Sequence, residues 1–145
     1  MTAYSFFQEL HSGFRFIVMV LFIYTLLVAL FGWIGRSPYT NRNRVTNLIA
    51  LASVHTQLVI GVILYFLSPL VQFNKDTMKD PSLRYFTVEH WVMMVIAIVI
   101  ITIGHSKSKK VVLPEIKHKT IAIYYGIALL IIIGALAAGH IPILN

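Results

Sequence analysis

The chain contains no cysteine. That absence removes disulfides, iron–sulfur clusters, thiolate-bound zinc, thiol nucleophiles and the covalent attachment of c-type haem together. Charge is scarce as well. Charged residues are 12% of the 145 positions, against about 25% in an ordinary soluble domain, so the polar part of a globular surface is missing. There is no phosphate loop, nucleophile elbow or HExxH motif, so no enzyme class announces itself. Internal repeats and low-complexity segments are lacking too. What is present is apolar: hydrophobic residues make up 58% of the chain and the mean hydropathy is +0.81, far from the composition of a disordered segment. One small domain remains, and its solvent is lipid.

The charge-free runs are residues 16–35, 45–74, 90–106 and 120–145. A helix needs about 20 apolar residues to cross a hydrocarbon core, with a range of about 17–25, so these runs predict four crossings. Backbone in lipid must satisfy its own hydrogen bonds, which leaves helices or a closed barrel. Runs such as VMMVIAIVIITIG do not alternate as barrel strands do. The expected fold is therefore all-α: an integral membrane four-helix bundle in a single domain spanning 1–145, with helices over roughly 12–35, 45–70, 88–106 and 119–143. The segment before the first run lacks a basic start and no small-residue cleavage site follows, so that run is expected to stay as a helix. Pro69 is expected to end the second helix, and Trp33, Tyr39, Tyr65, Tyr85, Phe86 and Trp91 to lie at the interfaces. GALAAG (134–139) offers a smooth face for close helix contact.

The formal net charge of +7 is unevenly placed. Connection 36–44 carries three arginines, and connection 105–120 carries five lysines against Glu115. The amino-terminal segment and the connection 74–89 are balanced. A hairpin array puts the two basic connections on one side. The positive-inside rule makes that side cytoplasmic in a bacterial-type cytoplasmic membrane, with both termini on the outer side. Topology accounts for the basic balance, and no nucleic acid is needed to explain it.

Six histidines in so apolar a chain are the unusual feature. Ionisable groups within membrane helices are costly, and function is the default reason to keep them. At 1.5 Å of rise per residue, His11 and His90 both fall at the outer ends of their helices. His55 falls about 12 Å from the inner end of helix two, and His105 about 21 Å below the outer interface. The depths pair His11 with His90 and His55 with His105. Two stacked bis-histidine sites for b-type haem would need this arrangement, with haems about 20 Å apart. Arg15, four residues after His11, shares its face and is suited to a haem propionate. Gly61 and Gly104 would admit a flat macrocycle near the inner histidines.

The strings LHSGFRFIVMVLFIY, VHTQLVIGVILYFLSP, VEHWVMMVIAIVIITIGHSKSKK and KHKTIAIYYGIALLIII resemble a family of small four-helix bacterial membrane proteins described as cytochrome b-like. The layout is similar to that of the cytochrome b561 and superoxide oxidase group, where two haems are held by single histidines on two helices and a spaced pair on another. By that resemblance His11, His55, His90 and His105 are axial ligands to the iron. The implied partners are the quinone pool and a second redox protein.

Other readings stand beside this one. Each of the four histidines also suits an interfacial role or an interhelical hydrogen bond, and a single haem on His11 and His90 is open. His140 falls at the same level and could substitute as a ligand. His118, between two lysines, is expected to be solvated; Met19, Met93 and Met94 to be packing; and Glu89 to orient His90 or face solvent. An electron carrier or oxidoreductase subunit fits better than a stand-alone enzyme. The alternative from another class is a cofactor-free accessory or assembly subunit of a larger membrane complex.

Overall fold

The computed structural model describes residues 1–141. Four long helices carry the chain: α1 (Ala3–Ile34), α2 (Asn41–Leu67), α3 (Pro81–Lys110) and α4 (Pro114–Ala138). Each is long and apolar enough to cross a membrane, as a multi-pass membrane protein requires, and no strand occurs among the described residues.

Local chemistry sets the ends. Thr2 and Ser5 form a reciprocal capping box at the start of α1, and Thr40 and Asn43 repeat it at α2. Asp80 accepts from the backbone N–H groups of Ser82 (2.9 Å) and Leu83 (3.2 Å), opening α3 at Pro81. Helix α2 stops at Leu67, and Ser68, ahead of Pro69, is extended at ψ 130°. All four helices begin before their charge-free stretches. Polar residues extend α1 backwards to Ala3, and α3 continues through Lys107, Lys109 and Lys110, whose charges suit a helix C-terminus. Helix α4 ends at Ala138 under the Gly139 cap, so residues 139–141, expected to continue it, are not helical, and 142–143 lie outside the described residues.

The helices form a four-membered ring in which α1 touches α2 and α4, and α3 touches α4 and α2. The α3–α4 contact is the most extensive and the α2–α3 contact the slightest. Gly104 explains part of the difference, because a Cβ there would overlap the Tyr124 side chain. The ring has two unlike halves. Near connections 36–40 and 111–113 it is filled by Phe22, Ala29, Ala50, Val54, Ile101, Ile121 and Tyr125, with Phe22 and Tyr125 stacked at 5.0 Å. The opposite half, where α1 begins and α4 ends, holds a partly open cavity.

His118 belongs to the filled half. It was expected in solvent, but only 2% of it is exposed. Residues 117, 118 and 119 diverge by about 100° each, so the flanking lysines say little about the residue between them. Lys117 donates to the Ser108 carbonyl (2.8 Å) and Lys119 lies over Trp33. His118 turns inward onto Gly32 and donates through Nε2 to the Pro38 carbonyl (3.2 Å). Tyr39 packs edge-on against its ring and accepts from the Asn47 amide (2.7 Å). Burial pushes the Tyr39 phenol above its ordinary pKa, against the opposing effects of that amide and of Arg44.

Candidate functional site

The cavity has a volume of about 570 Å³, within the range of about 300–1,000 Å³ usual for ligand pockets. All four helices contribute. Val18, Met19, Leu58, Met94, Ile98 and Leu136 supply apolar wall. The polar lining residues include His11 and Arg15 from α1, Gln57 from α2 and His90 from α3.

His11 and His90 come together there. Their ring centroids are 6.3 Å apart and their planes nearly perpendicular at 81°. Two imidazoles binding one metal ion from opposite sides, at about 2.0–2.1 Å per nitrogen, have centres about 6 Å apart. The rings thus have the separation of an axial pair. Among the described residues no group of three or more His, Asp or Glu is gathered, so a metal bound by side chains alone would have only two ligands from this pair. A metal whose remaining positions are filled by a macrocycle needs no more than two.

Each histidine has a local reason for its position. Gly61 on α2 faces the His11 ring, and a Cβ there would stand 3.1 Å from its Cε1. Gln57 donates to the His11 carbonyl (2.8 Å), tying α2 to α1 at this level. Gly61 therefore makes room for His11 rather than for His55 or His105. Gly104 packs on Tyr124 and does not line the cavity.

Four buried side-chain atoms among the described residues lack a hydrogen-bond partner: His11 Nδ1, Arg15 Nε, Gln57 Oε1 and His105 Nδ1. The first three belong to residues that line this one cavity. Buried polar atoms are nearly always satisfied, so a cluster of exceptions at one cavity is a place where a ligand or ordered water would satisfy them. Among the described residues no acidic side chain pairs with Arg15; Phe16 lies under its guanidinium at 5.0 Å. Arg15 is half-buried, with its Nε buried and unpartnered, and a guanidinium so placed at the cavity suits an anionic group. The residues present fit a flat, largely apolar macrocycle bearing carboxylates.

The remaining candidates lie elsewhere. His55 is exposed on α2, and its Nε2 is 3.0 Å from Thr102 Oγ1 across the α2–α3 seam. His105 is buried at 5% exposure, three residues beyond Thr102, and neither it nor His55 lines the cavity. His140 is exposed, with φ at 54°, and does not line the cavity either. Glu89 pairs with Arg84 (2.9 Å) instead of orienting His90. That position is taken by Tyr85, expected at the interface but only 3% exposed, whose hydroxyl lies 3.1 Å from His90 Nδ1. A five-residue π-helical turn, Tyr85–Glu89, brings the two rings together. Hydrophobic periodicity carries no sign of such a turn, so Tyr85 was not legible from the sequence. No family model matches the chain, and no curated protein or solved structure is detectably similar to it.

Proposed function

We propose that the chain is a membrane-embedded b-type cytochrome in which His11 and His90 hold one haem and Arg15 meets a haem propionate. The observation that carries this reading is the pair of imidazoles 6.3 Å apart at a cavity of about 570 Å³, with three unpartnered polar side-chain atoms on its lining residues. When bound, the group supplies a one-electron redox centre. The protein's part would be to hold the iron through His11 and His90 and to set the surrounding field.

The partners follow from what surrounds the cavity. Val62 and Phe66 on α2 and Trp91 on α3 line it and are also 47%, 81% and 46% exposed. Apolar side chains that belong to both the wall and the lipid-facing surface suit exchange with a carrier dissolved in the bilayer, such as quinone. The charge distribution argues that the cavity half faces outward and that the basic connections are cytoplasmic. A second redox protein would then complete the electron path at the outer surface.

The test is a titration of haem into the haem-free protein in detergent, followed by absorbance. Saturation at one equivalent with a bis-imidazole spectrum is expected, with at least about a tenfold loss of affinity in His11→Ala and His90→Ala. A wild-type protein that takes up no haem would overturn the reading and favour the cofactor-free accessory subunit.

A further inference from the structure

The hydrogen bonds around Tyr85 carry a consequence for His90. The Tyr85 hydroxyl is 2.7 Å from the Ala135 carbonyl oxygen and 3.1 Å from His90 Nδ1. A phenol has one proton, and a carbonyl oxygen can only accept. The Tyr85 proton therefore goes to Ala135, and toward His90 the phenol oxygen is an acceptor. His90 Nδ1 must then carry the hydrogen, which leaves a lone pair on Nε2. No partner to Nε2 occurs among the described residues, and His90 lines the cavity.

We propose that Tyr85 is a positioning residue that fixes His90 as the Nδ1–H tautomer and so keeps Nε2 ready to bind a metal. The inference rests on the haem reading only for the identity of that metal. The fold invests several features in this contact. The π turn separates Tyr85 and His90 by five residues yet lets them meet, and such turns are frequent at functional sites. Gly139 supplies the recess for the phenol, since a Cβ there would overlap the Tyr85 ring. Ala135, one turn earlier on α4, supplies the accepting carbonyl. The partner of the ligand's far nitrogen thus comes from α3 and is itself held by α4.

Tyr85→Phe keeps the ring in the Gly139 recess and removes only the hydroxyl. The first measurement uses haem-free protein with 15N-labelled histidine in detergent, and reads ring-nitrogen shifts. Wild type is expected to show His90 protonated on Nδ1 with a free Nε2, and Tyr85→Phe to lose that preference. His118 is the internal control, because its Nε2–H donates to Pro38 and its signals should not move. A wild-type His90 protonated on Nε2, or a tautomer unchanged in Tyr85→Phe, would overturn the proposal. The second measurement is haem affinity and reduction potential, with a loss of about tenfold to a hundredfold in affinity and a shifted potential expected in Tyr85→Phe. Equal affinity and potential in both proteins would contradict the positioning role. Wild type that binds no haem would remove the cofactor reading, and the nitrogen shifts would still decide the tautomer.

Discussion

At Arg15 a guanidinium nitrogen is buried in a membrane helix with no hydrogen-bond partner, beside a cavity that could take an anion. Charge-assisted hydrogen bonds are worth about 1.5–3 kcal/mol, so Arg15→Gln should weaken haem binding by about tenfold or more. It should also lower the reduction potential, because removing a nearby cation disfavours the electron-rich state. Redox titration checks the sign, and an unchanged potential would mean that the side chain simply snorkels outward. Gly32 makes the opposite kind of prediction. A Cβ there would stand 2.6 Å from His118 ring atoms, and the ring is held by Pro38 and Tyr39. Gly32→Ala should therefore destabilise the filled half by about 1–3 kcal/mol, seen as a lower melting temperature with or without haem. At this scale the sequence was uneven. His11, His90 and Arg15 stood out because polar groups are rare in such helices. His118 and Tyr85 did not, because their roles depend on neighbours from other helices.

Four helices were readable from four charge-free runs, and caps such as Thr40 with Asn43 explain why charged residues beside a run can still be helical. The π turn was not readable. Its effect is nevertheless testable at the level of the element. Inserting one alanine after Val88 would rotate Tyr85 by about 100° relative to His90 and break their contact. Haem affinity should fall as in Tyr85→Phe. The same insertion between Lys75 and Asp76, in the connection before α3, should leave it unchanged. Equal losses from both insertions would show that the connection, rather than the turn, governs the site.

The described residues divide into a filled half beside the basic connections and a cavity half where α1 begins and α4 ends. The depth argument paired histidines at two levels. At the level where α1 begins the rings of His11 and His90 meet, whereas His55 is exposed beside Thr102 and His105 is buried away from the cavity. Depth along a helix does not say which way a side chain points, and the cavity takes His11 and His90 but neither His55 nor His105. The orientation proposed from charge predicts that a membrane-impermeant thiol reagent will label Lys75→Cys in intact cells and spare Ser37→Cys. The cysteine-free chain gives no background in that experiment. The reverse pattern would invert the topology.

The most direct test of the central claim is the reduced-minus-oxidised visible spectrum of the protein purified from membranes supplied with haem, with haem quantified per chain. The account predicts a b-type spectrum with one haem per chain, lost in His11→Ala and His90→Ala and retained in His55→Ala. A colourless, folded wild-type protein, or haem that survives both cavity substitutions, would contradict it.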